Sequence, residues 1–324
     1  MHIPDGFLDL KTSLICGAIS TAGIGLAVKN YRMNSHPRMI PIMGVGAAFI
    51  FAAQMVNFPI IGATSGHLVG GALAAVLFGP TSAILMMTAV LVVQCLLFAD
   101  GGITALGANL FNMALVSPLI GYFVFTGIIR FWPSDIGKTI SLFLGAWLGT
   151  LSAAISCAGQ LAFSGTGLWT PLLLAMAGIH AIIGIGEAFI SVLIFNAVVK
   201  FRPELAIHSV EKSASLKTGM ALSLVFVVAL GFAIFVSPFA CSCPDGLEKI
   251  AQTMNFEGKA LKGAIFTQLF KDYQIHGFES HSISLAGGIG TTVTLIFACF
   301  FSWLFLAKTP SSPKTSEKLP IDLS

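Results

Sequence analysis

Apolar stretches long enough to form membrane-crossing helices recur along almost the whole chain, separated by short polar connections, and this recurrence excludes most soluble folds. They fall at roughly 10–28, 39–57, 67–79, 81–99, 103–126, 139–163, 171–199, 217–238 and 284–306. Of 324 residues, 56% are hydrophobic and only 10% charged, whereas ordinary soluble domains carry about 25% charged residues. The segments have helical rather than barrel-strand length, so the expected fold is an all-α integral membrane bundle. A net charge of +3 is too small to point to nucleic acid. Six cysteines, four of them inside apolar segments, form no disulfide framework.

The placement of cations sets an orientation. With the N-terminus outside, Lys29, Arg32, Arg38, Arg130, Lys138, Lys200, Arg202, Lys212 and Lys217 lie in inner loops, and Lys308, Lys314 and Lys318 lie in an inner tail. Twelve of seventeen cations are then cytoplasmic, as the positive-inside bias requires. Four of the others sit in the outward loop 239–283, and long loops translocate largely regardless of charge. No basic leader precedes the first apolar run, so Met1 is expected to be the mature N-terminus, extracytoplasmic, with the C-terminus in the cytoplasm. The shortest segment, HLVGGALAAVLFG at 67–79, follows the Gly/Pro-rich NFPIIGATSG and crosses only if tilted or met by a re-entrant loop. Residues 1–200 carry seven segments on short loops, and 217–306 carry two helices around a long outward loop. The tail, KTPSSPKTSEKLPIDLS, has a disordered composition.

Two histidines arrive on the outer side. His2 stands beside the free α-amine, and His67 heads the short third segment. A terminal amine, the adjacent amide nitrogen and the next side chain form fused chelate rings. Met1 N, the His2 amide, a ring nitrogen of His2 and one of His67 make four nitrogens, and four in a plane favour Ni²⁺ or Cu²⁺ over Zn²⁺. The α-amine must lose its proton, so binding should weaken in acid. IPDG at 3–6 is a turn that folds the terminus back towards the bundle. Read from spacing alone, His2 as a polar terminal residue and His67 as a helix cap remain open.

A resemblance narrows the choice. MHIPDGFL at 1–8, GATSGHLVGG at 62–71, VVQCLLFADGGITALGANLFNM at 92–113 and GIHAIIGIGEAFI at 178–190 closely resemble the CbiM/NikM family. These are the substrate-capture subunits of energy-coupling-factor nickel and cobalt importers. The resemblance covers about residues 1–205 and implies that Met1, His2 and His67 are the metal ligands. CSCPDGLEKIA at 241–251 resembles the PDGLE segment of the small auxiliary subunit, here fused into one chain. It implies a seven-helix capture bundle over 1–205, a cytoplasmic linker over 206–216, a two-helix PDGLE domain over 217–306 and a disordered cytoplasmic tail over 307–324. Implied with it are binding of transported Ni²⁺ or Co²⁺ with no resident cofactor, a scaffold transmembrane subunit, ATPase subunits that hydrolyse the ATP, and a place in the inner membrane, among lipid.

Further polar residues invite roles in the second shell of the metal or in coupling. Glu187 is an acid well inside a span, and His180 lies two helical turns earlier on the same face, so the two are expected to share a polar column or to fix helix packing. Gln94, Asp100, Asn109 and Asn112 flank an outer turn and are expected to hold the N-terminal loop by hydrogen bonds. Cys241, Cys243, His276 and His281 have poor spacing for a metal site. IGKT at 136–139 lacks the first glycine of a phosphate loop, which excludes ATP hydrolysis by this chain. ATSGH does not meet the requirements of a serine protease either, since Ala63 stands where a glycine is needed. The other reading of function is a membrane metal sensor or stabilising protein that binds the ion without moving it. Small-residue stripes at Ala18 and Ala22 and at Gly44, Ala48 and Ala52 allow close helix contact, with a partner or internally.

Overall fold

A computed structural model describes residues 1–201, 216–261, 269–275 and 281–306. The linker 206–216, save Leu216, and the tail 307–324 lie outside the described residues. Among the described residues, seven helices are long and apolar enough to cross a membrane: α1 (Leu10–Asn34), α4 (Pro80–Phe98), α5 (Leu106–Ile129), α6 (Asp135–Phe163), α7 (Trp169–Phe201), α8 (Gly219–Phe239) and α10 (Ser282–Leu306). Three shorter helices complete the set: α2 (Met39–Gln54), α3 (Gly71–Phe78) and α9 (Gly246–Thr253). Local chemistry sets several starts. Asp9 caps α1 through the amide of Thr12 at 2.9 Å, and Ser134 caps α6 through the amide of Gly137 at 3.0 Å.

The third apolar segment is not a span. Residues 58–66 form a two-stranded antiparallel hairpin, β1 (Phe58–Ile60) with β2 (Thr64–Gly66), in which Pro59 faces Ser65. The chain then runs from His67 to Val69 outside any helix. Gly70, at φ +80°, turns it into α3, a conformation that a Cβ would strain. Eight residues of helix rise only about 12 Å. Every residue of α3 but the last is buried, so α3 is a core half-helix, apolar on all sides.

Helix α4 lies at the centre, and Met86, Met87, Val90 and Leu91 have no more than 1% exposure. The C-terminal pair α8 and α10 packs against α2 through small residues. Ala52 clusters with Ala229 and Ala233, and a side chain on Gly44 would collide with Cys299. The Gly44, Ala48 and Ala52 stripe is therefore filled internally, whereas Ala18 and Ala22 face outward on α1.

Candidate metal centre

The N-terminal octapeptide is inserted into the hairpin end of the bundle. Ile3 is fully buried, and its amide donates to Asn109 Oδ1 at 2.8 Å while Asn109 Nδ2 donates back to its carbonyl at 3.1 Å. Asp5 Oδ1 accepts from the amide and hydroxyl of Thr104 at 2.7 and 2.6 Å. The Asp5 carbonyl accepts from Leu261, and the Phe7 carbonyl from Thr166 Oγ1. The IPDG turn thus folds back as its residue types require.

These contacts deliver Met1 N to 3.5 Å from His67 Nε2 and 2.5 Å from Asp245 Oδ2. His67 Nδ1 lies 3.1 Å from the Leu68 carbonyl. A carbonyl only accepts, so Nδ1 carries the proton and Nε2 turns a lone pair towards the amine. The His2 ring stacks on that of His67, with centroids 5.6 Å apart and planes 17° apart. His2 Nδ1 is held by Asp100 Oδ1 at 2.9 Å, and His2 Nε2 is buried without a partner among the described residues. Tyr273 donates to the other Asp100 oxygen at 2.8 Å and stacks on Phe98.

Electrostatics follow from this packing. Burial depresses the Met1 ammonium, but the Asp245 carboxylate outweighs it and leaves the ammonium above its ordinary value. Burial raises the Asp245 carboxyl, and the ammonium overcomes that and holds it well below the usual carboxylate range. His67 is pushed down to about 4, first by burial and then by the ammonium and His2, so it is neutral at pH 7. Burial also opposes ionisation of Asp100, yet the neighbouring His2 keeps it ionised.

Nitrogen donors gathered in a buried spot, one of them orphaned, and two carboxylates to offset charge fit a late divalent transition metal. The fused chelate needs His2 Nδ1, the ring nitrogen that closes a six-membered ring with the amide. In this structure Nδ1 belongs to Asp100, so chelation requires the ring to turn about Cβ–Cγ. Among the described residues, no three His, Cys, Asp or Glu side chains converge on one point, and the chain terminus is what completes this centre.

The remaining candidates divide. Asp100 and Asn109 hold the terminal loop directly. Gln94 instead donates to Gln54 Oε1 at 2.7 Å, and Gln54 donates to the Val69 carbonyl at 2.8 Å, so Gln94 supports the segment after His67 at one remove. Asn112 is away from the loop, paired with Gln160 and Ser156. Glu187 accepts from the Gly70 amide at 3.0 Å and from Thr150 Oγ1 at 2.6 Å, which caps the start of α3. His180 is buried with Nδ1 on the Met176 carbonyl at 2.9 Å. Ser65 donates to the Cys243 carbonyl at 2.8 Å, and among the described residues no histidine is hydrogen-bonded to it. Cys241 and Cys243 are free thiols, His281 is exposed, and His276 lies outside the described residues.

Asp245 and Tyr273 are the residues that sequence reasoning missed. The capping box Asp245-xx-Glu248 was a readable signal for a carboxylate at a helix start. That its free oxygen reaches Met1, 244 residues away, was not readable.

Residues 2–205 match the family model for the cobalt uptake substrate-specific transmembrane region, CbiM, and residues 220–307 match the PDGLE domain. The chain belongs to the CbiM family. It is 36% identical to a putative fused nickel transport protein NikMN of Archaeoglobus fulgidus over 313 residues, 95% of this chain and 100% of that one. It is 30% identical to a probable fused nickel transport protein LarMN of Lactiplantibacillus plantarum, covering 86% of this chain and 90% of the relative. A crystal structure of a truncated transition metal transporter superposes with a TM-score of 0.56 at 34% identity, over 62% of this chain and 99% of that one. As a CbiM-family member it is a multi-pass membrane protein of cobalt and nickel transport.

Proposed function

We propose that this chain captures Ni²⁺ or Co²⁺ at its extracytoplasmic face, with Met1, His2 and His67 as ligands, and delivers the ion to ATP-driven uptake by an energy-coupling-factor complex. The observation that carries the reading is the Met1 amine held 3.5 Å from the lone pair of His67 Nε2, with the His2 ring stacked alongside. In this reading a scaffold subunit and ATPase subunits on the cytoplasmic side supply the energy, consistent with the incomplete phosphate loop at 136–139. Residues 1–205 serve as the capture bundle and 217–306 as an auxiliary PDGLE domain, with the N-terminus outside and the C-terminus inside.

Loading follows from the chemistry of the donors. The incoming ion takes the lone pair of the amine, which must first give up its proton and its pairing with Asp245. Asp245 and Asp100 then offset part of the ion's double charge. Once the His2 ring has turned to present Nδ1 to the ion, Nε2 faces Asp100, which then stands as a carboxylate behind a ligating imidazole. An added alanine ahead of Met1 moves the amine and turns it into an amide, so the variant is expected to lose high-affinity Ni²⁺ and Co²⁺ binding in a chelator competition. Unchanged affinity would sink the proposal.

A further inference from the structure

A cavity of about 10 Å³, room for a single water-sized sphere, lies directly beside the amine. Its walls include Met1, His67, Thr150, His180, Asp245 and Gly246. His180 is 2% exposed and lines this cavity, and with Nδ1–H donated to Met176 its Nε2 carries the lone pair of the ring. The ring edge bearing that nitrogen abuts Gly246, where a Cβ would fall 2.8 Å from Cε1 and 3.0 Å from Nε2. Thr150, on the same wall, donates to Glu187 at 2.6 Å.

We propose that this cavity is a second metal station, in which His180 Nε2 receives the divalent ion as it leaves the terminal chelate. The inference rests on the proposed ligation by Met1, His2 and His67. A buried imidazole lone pair facing a cavity is a donor in waiting, and a divalent ion there requires compensating charge. Asp245 supplies it from one wall, and Glu187 from behind Thr150. The terminal loop opens the primary site by lifting away, which strips the amine and His2 from the ion but leaves His67 on it. His180 binds as these nitrogens leave and before both are gone, so the ion does not pass through a state with one protein ligand. Gly246 keeps the cavity open because any side chain there would push into the ring.

The test uses the full chain in detergent with Co²⁺ or Ni²⁺ as the probe. The loss of high-affinity binding on adding alanine ahead of Met1 reports on the primary site, and undiminished affinity there overturns the primary reading whatever His180 does. In that extended chain, weak residual Co²⁺ binding is expected, and adding His180→Gln is expected to abolish it. With the natural terminus, His180→Gln is expected to slow release of bound ion to an external chelator by about tenfold or more. Gly246→Ala crowds the same ring without removing a donor and is expected to slow release in the same direction, which guards against a folding defect in the first variant. Residual binding that survives His180→Gln, or release as fast as wild type in both variants, overturns the second station.

Discussion

The two parts of the chain meet the metal centre with different chemistry. Residues 1–201 bring nitrogen, from the amine of Met1 and the rings of His2 and His67, whereas residues 216–306 bring oxygen, from Asp245 and Tyr273. Within the bundle α4 is enclosed, with 78% of its apolar stretch buried, whereas α1 and α7 bury 28% and 33%, nearer to the 28% of α10 and 17% of α8. The C-terminal part is held by a small-residue seam along α2 and by polar clasps at the hairpin end. One clasp ties Asp245 to the amine, and the other ties Tyr273 through Asp100 to His2. Neither clasp adds a ring nitrogen, yet each holds a group that the proposed chelate uses. In that proposal the C-terminal part acts on the centre by electrostatics and orientation, while the bundle supplies the donors.

The contrast predicts a hierarchy of damage. His67→Ala removes a nitrogen donor and is expected to weaken Ni²⁺ and Co²⁺ binding by more than the roughly 100-fold typical of outer-sphere losses, measured by chelator competition. Asp245→Asn removes an oxygen clasp, and a loss of about 10–100-fold at the alkaline plateau is expected. The same variant should shift the pH of half-maximal binding downward, because Asp245 raises the amine above its ordinary value and its removal lets the amine deprotonate sooner. An affinity unchanged in Asp245→Asn, or a shift in the opposite sense, would break the division between donors and clasps.

The ion pair also sets a window for stability. Asp245 has a depressed carboxyl, so its contribution is present above the unfolded value of about 3.9 and is lost as pH falls towards the folded one. Met1 has a raised ammonium, so its contribution is present below the unfolded value of about 8 and is lost as pH rises through the folded one. Metal-free protein should thus melt highest between about pH 4 and 8, and Asp245→Asn should flatten that profile in a thermal scan.

The seam can be tested without removing a hydrogen-bonding group of either clasp. A Cβ on Gly290 would stand 2.3 Å from Phe51 and 2.6 Å from Phe98, so Gly290→Val is expected to destabilise the chain by about 1–3 kcal/mol. Metal affinity measured below the melting transition should fall less than in Asp245→Asn. The smallest effect belongs to Tyr273→Phe, which deletes one hydrogen bond to a carboxylate worth about 1.5–3 kcal/mol at most. Because Asp100 keeps its contact with His2, only a several-fold drop in affinity is expected by the same competition assay.

Much of this architecture was legible beforehand, for identifiable reasons. Spans such as 139–163 and 171–199 are continuous apolar runs, and a membrane helix satisfies its own backbone, so composition alone reveals it. Segment 67–79 misled because hydropathy does not register where a helix begins, and Gly70 starts α3 four residues later than the apolar run does. The terminal turn was legible from Pro4 and Gly6, and the roles of Asp100 and Asn109 from their place at the adjoining turn. Gln94 and Asn112 looked equivalent to them in sequence. Their helices point them instead at Gln54 and Gln160.

By itself the sequence determined a helical membrane protein with a histidine next to its amine and another heading a broken segment, because hydropathy, turn chemistry and donor type are local properties. Only the tertiary structure decided that the amine lies against Asp245, that Tyr273 supports Asp100 and that His180 opens onto the same small cavity. Buried charges and lone pairs take their partners from whatever the packed chain brings within a few ångströms, and residues hundreds of positions apart carry no local mark of that meeting.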